Sequence, residues 1–255
     1  MAHHSLDQQK QRAWDNQQHV YDALLGLCDT DAAKIYDDKS LKHAFAHTPS
    51  AIKCIDERVV TDQPAVGLAG SGVLLSAHER TVMAEKLRPL NLTTVIYHEG
   101  CGAAALFCHE HTKATGEHLD VMNEAKLAAE KMCHLLALPN AMKKAGHNPD
   151  SHLAMTGHPH FHHARAVIVD FSGQFNPTPL DFPAAFLLSA AYHPSLEYTF
   201  KELDIAISIA MGDHGFGQER FVDKPLAVVA VNEPDGDIFS PYKSRPELTL
   251  LTLNY

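Results

Sequence analysis

Between residues 6 and 27 the apolar residues Leu6, Ala13, Trp14, Val20, Tyr21, Leu24 and Leu25 stand among Gln, Lys, Asp and Asn, a spacing that predicts one amphipathic helix. Its apolar face is expected to pack outside the core, against a partner subunit. Polar residues fill 29–40 and predict a loop with a short helix. The compact run Ala51-Ile-Lys-Cys-Ile-Asp56 predicts a buried strand ending in chemistry. Glycines crowd Gly67-Leu-Ala-Gly70-Ser-Gly72, ahead of a helical pattern over 78–87 that Pro89 stops. Thr93-Thr-Val-Ile-Tyr97 predicts a β-branched strand, and His98-Glu-Gly-Cys101-Gly leads directly into a helix at 103–107. A long Ala-rich helix is expected from its cap at Asp120 to Leu138, before Pro139. Strands are predicted over 165–171, 226–231 and 248–253, and a helix over 197–211.

Strands alternating with helices predict an α/β fold with a mainly parallel central sheet flanked by helices, and ligands in such sheets gather at the carboxyl ends of the strands. The expected organisation is an N-terminal helical arm over 1–45, an α/β core over 46–175, and a C-terminal extension over 176–255 packed on the same core. Neither an internal repeat nor a low-complexity linker is visible in the sequence.

Composition narrows the function. The 255 residues are 45% hydrophobic and 20% charged, enough for one large core. With 31 acidic against 21 basic residues the net charge is −10, which offers no footprint for nucleic acid or an anionic membrane and suits a small neutral or weakly charged substrate. Residues 1–20 lack an apolar targeting core, and no run approaches the ~20 apolar residues that span a bilayer, so a cytoplasmic location is expected. Five cysteines, outside any loop-rich paired frame, favour reduced thiols and metal or redox chemistry over structural disulfides.

Two short motifs stand out. Cys54-Ile-Asp56-Glu-Arg58 and His98-Glu-Gly-Cys101 place two thiols and an imidazole at the ends of two predicted strands. Three such donors suit zinc and leave its fourth tetrahedral position to water, substrate or a carboxylate. Asp56 has two roles open to it: pairing with Arg58 while orienting a metal-bound hydroxide, or moving onto the metal itself.

Other groups read more plainly. Cys108, His109 and His111 make a second candidate set, but a histidine-bearing helix surface is the preferred reading, and Cys133 and His134 read as packing residues. His158, His160, His162 and His163 are expected to form a solvated patch, with a proton relay as the alternative. Gly212-Asp-His-Gly215-Phe-Gly217 reads as a helix cap and turn, and Ser71 is no nucleophile elbow because Ala69 breaks the spacing.

The Cys-x-Asp-x-Arg motif followed by His-x-x-Cys-Gly, carried by Cys54, Asp56, Arg58, His98, Cys101 and Gly102, resembles the zinc signature of the β-carbonic anhydrases over roughly residues 50–175. The resemblance implies a parallel-core α/β fold assembled as a homodimer or higher homo-oligomer. It also implies a zinc lyase: Zn2+ on Cys54, His98 and Cys101, catalytic Asp56 and Arg58, and reversible hydration of carbon dioxide to bicarbonate by zinc-bound hydroxide. Where that family carries an Arg-Asn-Ala-Gly-Asn-like element, this chain has Gly67-Leu68-Ala69-Gly70-Ser71. Two alternatives keep the same zinc site: a related substrate, carbon disulfide or carbonyl sulfide, or a zinc-binding protein without turnover. Two thiolates and a neutral imidazole cancel the charge of zinc, so its water should ionise above the ~7 of a three-histidine site.

Overall fold

The structure is a computed structural model that describes residues 2–28, 44, 47–59, 61, 63–138, 142–145, 161–176, 182–234 and 238–254. The loop expected over 29–40, and His158 and His160, lie outside them. It is an α/β fold with two four-stranded, all-parallel sheets and, among the described residues, six α-helices. The first sheet has the order β2-β1-β3-β4, from β1 (Ala51–Lys53), β2 (Ala65–Gly67), β3 (Thr94–His98) and β4 (Met142–Ala145). The second has the order β6-β5-β7-β8, from β5 (Ala166–Asp170), β6 (Ala185–Leu188), β7 (Leu226–Val231) and β8 (Leu248–Leu253). Every residue of β5 and β7 is buried, as near-continuous apolar strands covered on both faces require.

The helices begin and end where local chemistry dictates. Ser76 and Glu79 form a capping box at the start of α3 (Ala77–Leu87), and Gly116 at φ 77° closes α4 (Gly102–Thr115). The carboxylate of Asp120 caps α5 (Val121–Leu135) by accepting from Asn123 N, and Ser195 caps α6 (Leu196–Met211) by accepting from Tyr198 N. The single helix expected over 6–27 is two, α1 (Ala2–Asn16) and α2 (Gln18–Cys28), separated at Gln17. That buried amide donates to Ala13 O at 3.0 Å and His163 O at 2.9 Å and accepts from Ala184 N at 2.8 Å, tying the break to distant chain. The apolar face of this arm turns inward, contrary to expectation. Trp14 packs edge-on against Phe216 and Phe221, and the buried Arg165 guanidinium lies 4.1 Å from the Trp14 ring and 4.0 Å from that of Tyr21. The face is occupied within the chain and supplies no argument for a partner.

Strand alternation sorts the core into three clusters. Ala51, Ile96, Val167, Val169, Val228 and Ala230 share one central cluster with α6. Ile52, Val66 and Val95 turn to the opposite side of the first sheet, among residues of α3 and α5, and Ala166, Ile168 and Val229 turn to Tyr21 and Leu24 of α2. The boundary expected at residue 175 falls between β5 and β6, hydrogen-bonded neighbours of one sheet. No described helix is long and apolar enough to cross a membrane.

The two sheets repeat one layout, a structural repeat that the sequence does not display. The central strands β1 and β5 run into Asp56 and Asp170, and each carboxylate accepts the backbone N–H two residues on, from Arg58 and Ser172, at 2.9 Å in both cases. The register agrees: Ile52 pairs with Val95 and Ala166 with Ala227, each central-strand residue standing four positions before its aspartate. Beyond the third strand of each sheet the chain turns left-handed at matching places, Gly100 at φ 65° and Asn232 at φ 51°. Unequal connections and different side chains hide this from the sequence.

The edges of the sheets meet at β2 and β6. Ser189 N donates to Gly67 O at 3.0 Å, and Gly67 N to Ser189 Oγ at 2.8 Å. A Cβ on Gly67 would lie 1.9 Å from the Leu187 carbonyl oxygen, so this approach needs glycine. Gly67→Ala should therefore destabilise the protein by about 1–3 kcal/mol, the usual range for overpacking, or more because the obstacle is backbone. Urea denaturation would test it, and an unchanged midpoint would mean the two edges are not this close in solution.

Candidate metal centre

In the first sheet β2 lies on one side of β1 and β3 on the other, so the strand order reverses between β1 and β3. Such a switch point opens a crevice at the carboxyl ends of the two strands. Cys54 follows β1 directly, His98 is the last residue of β3, and Cys101 is the N-cap of α4. All three are buried, and their donor atoms lie within 4.8 Å of one another, a set that can hold a metal ion. The sulfurs are 3.9 Å apart. His98 Nδ1 lies 2.9 Å from the Glu99 carbonyl oxygen, which only accepts, so the proton sits on Nδ1 and Nε2 is the nitrogen that could face a metal.

The thiols are electrostatically unequal. A hydrogen bond from Cys101, reinforced by His98 and opposed by burial, holds Cys54 well below the ordinary thiol range. The same contact, together with burial, pushes Cys101 well above it. The pair shares one proton, which a metal cation would displace. Gly70 N donates to Cys54 Sγ at 3.2 Å, from a turn after β2 in which Gly70, Ser71 and Gly72 all have positive φ.

Asp56 stands beside the triad, with Oδ2 3.9 Å from His98 Nε2. Its carboxylate is engaged by Arg58 three times: the backbone N and Nε to Oδ1 at 2.9 Å, and Nη2 to Oδ2 at 2.6 Å. Burial opposes its charge, but those hydrogen bonds and the positive charge of His162 and Arg58 hold it far below the usual carboxylate range. Of the two roles open to Asp56, the geometry has it on Arg58.

His162 and His163 are buried, not solvated as expected. Their acidic partner is Glu57, whose side chain accepts from His163 N at 2.9 Å and contacts His162 Nδ1 at 3.1 Å. Burial lowers the His162 pKa, but the charge and hydrogen bond of Glu57 outweigh it and hold the group above its ordinary value. Asp56, Glu57 and His162 form a second set of close donors, already committed to Arg58 and to one another. Among the described residues, Cys108, His109 and His111 form no such set, and Cys133 is buried packing as expected. Ser71 Oγ donates to Ile96 O, and Gly212 ends α6 with Phe216 buried behind it, so neither of those segments reaches the triad as a reacting group.

The second sheet has the same switch point, between β5 and β7. With Asp170 placed on Asp56, the counterparts of Cys54, His98 and Cys101 are Ile168, Ala230 and Glu233. No thiol or imidazole stands at those positions.

Sequence reasoning missed Glu57, Gly70 and Glu202 as parts of this region. Glu202 is fully buried and accepts from Ala69 N at 2.7 Å. A signal existed in α6: Thr199, Glu202, Leu203 and Ala206 form one buried stripe, and a carboxylate on an apolar stripe demands a partner. Compared with family models, curated proteins and solved structures, the chain matches none.

Proposed function

We propose that the protein is a zinc-dependent lyase that hydrates carbon dioxide reversibly to bicarbonate, as its resemblance to the β-carbonic anhydrases implies. The observation that carries this reading is the buried Cys54, His98 and Cys101 set at a strand switch point beside a carboxylate that Arg58 restrains. The donors fit zinc: two sulfurs each ~2.3 Å from a tetrahedral ion would be about 3.8 Å apart, and here they are 3.9 Å apart. Three protein donors leave one position open, and zinc bound there would supply Lewis acidity and lower the pKa of its water. Asp56, while Arg58 retains it, is placed to accept a proton-bearing group at Oδ2 and so orient the nucleophile. Both sulfurs belong to the central apolar cluster, surroundings that suit a small uncharged substrate.

The test is metal analysis followed by stopped-flow carbon dioxide hydration on the same sample. About one zinc per chain is expected, with turnover rising from neutral to mildly alkaline pH because two thiolates leave the metal's water less acidic. Zinc without hydration at any pH between about 6.5 and 9, around the ~7 reference, would overturn the assignment. Hydrolysis of carbonyl sulfide or carbon disulfide by such a sample would move the reaction to those substrates, and no turnover on any of the three would leave a zinc-binding protein.

A further inference from the structure

Glu202 belongs to α6, the crossover between β6 and β7 of the second sheet, yet its carboxylate ends on the first sheet's glycine turn. The turn carries two successive N–H groups aimed at acidic atoms. Ala69 N donates to Glu202 Oε1 at 2.7 Å, and Gly70 N donates to Cys54 Sγ at 3.2 Å. Consecutive amides before a left-handed backbone make an anion-binding concavity. Here one amide holds a carboxylate from the opposite unit and the next meets a sulfur of the triad.

Left-handed conformation is costly for Ser71, at φ 53°, and it persists only where the surroundings enforce it. Three contacts do so besides the thiol: Glu202 on Ala69 N, Ser71 N on Leu68 O at 2.8 Å, and Ser71 Oγ on Ile96 O at 2.5 Å. Only the first comes from outside the first unit. Glu202 is itself held in place, with Oε2 3.3 Å from His193 Nε2, whose Nδ1 lies 2.9 Å from Thr199 Oγ1. Lys86 of α3 donates to the His193 backbone carbonyl, which binds that bracket to the first unit a second time.

We propose that Glu202 is a positioning residue of the metal centre: by fixing the Ala69 amide it aims the Gly70 N–H at Cys54 and thereby sets how strongly that sulfur donates to a bound metal. The inference rests on Cys54, His98 and Cys101 being metal ligands. It assigns the second unit a role in the centre although no thiol or imidazole stands at the matching positions of its own switch point. An N–H bond to a ligating thiolate withdraws charge from sulfur, so its loss makes the sulfur a stronger, more easily oxidised donor.

The experiment uses the full-length protein loaded with Co(II), with the sulfur-to-cobalt charge-transfer band and the Co(II) dissociation constant as readouts and circular dichroism as the check on folding. Glu202→Ala should move the band to lower energy, as a more easily oxidised sulfur requires, and shift the Co(II) dissociation constant about 10- to 100-fold, the size of effect seen when a ligand's outer partner is removed. Glu202→Gln keeps an acceptor oxygen at the same reach and should restore the wild-type band. Glu202→Asp, one methylene shorter, should behave like the alanine variant and is read in its place if Glu202→Ala does not fold. A folded Glu202→Ala or Glu202→Asp protein with the wild-type band and affinity would overturn the proposal, even if its thermal stability had fallen. Failure of the wild-type protein to take up Co(II) or zinc would overturn the metal-centre reading itself, and this inference with it.

Discussion

Cys54→Ser, His98→Ala and Cys101→Ser should each strip most of the metal from the protein, and with it the carbon dioxide hydration proposed for the site. The expectation follows from counting donors: three buried residues would hold the ion, and removing one leaves two. Zinc sites of this donor type contribute on the order of 10–16 kcal/mol of apparent binding free energy near neutral pH, so loss of a third of the ligand set lowers affinity by orders of magnitude. The fold should survive, because β1 and β3 are held by their ladder and by Ile52, Val66 and Val95, which pack away from the triad. Metal content after dialysis against a chelator, with circular dichroism as the control, measures the effect. Cys108→Ser and Cys133→Ser supply the contrast, since both thiols lie outside the set and should leave metal content unchanged. Stoichiometric zinc in all three ligand variants would remove the ligand assignment.

Arg58→Ala should give the second large effect, this time with the metal retained. Both members of the Asp56–Arg58 pair are buried, at 4% and 7% side-chain exposure, and breaking a buried pair from one side typically costs about 3–5 kcal/mol because the remaining charge has no compensation. Turnover should collapse as well, for the released carboxylate is close enough to His98 to compete for the metal. The pH dependence gives an independent check. Asp56 is depressed in the folded protein, so its pairing contributes stability that is present above the ~3.9 of a free aspartate and is lost as pH falls below it. Arg58→Ala should flatten that acid limb of the stability profile while lowering the plateau at neutral pH. Urea midpoints between about pH 3 and 7, bracketing that reference value, would show it. A variant as stable and active as wild type would make the pair a spectator.

How far the sequence revealed the molecule depended on the reach of each interaction. Leu226–Val231 and Leu248–Leu253 are strands at the predicted positions because each is an uninterrupted β-favouring run. Ala185–Leu188 and Met142–Ala145 went unpredicted: four residues are too few to set a period, and Met-Lys-Lys-Ala on an edge offers no alternation of burial to read. The triad was legible because its donor types and spacings are carried by two short stretches at the carboxyl ends of β1 and β3. The histidine patch was misread because the acid that buries His162 and His163 is more than a hundred positions away. Glu202 escaped for the same reason, its partner amide lying 133 positions back along the chain.

The meeting of β2 and β6 also decides what a smaller version of this protein would lack. Cutting the chain ahead of β5 keeps Cys54, His98, Cys101, Asp56 and Arg58 on one fragment, every group named for the chemistry. That fragment would expose the β2 edge, where Gly67 now meets Ser189, and leave the Ala69 amide with water in place of a carboxylate. A bare strand edge invites pairing with other copies, so the product should aggregate before it could act. The second sheet is thus a built-in escort for the first, and the shortest useful form of the protein includes both.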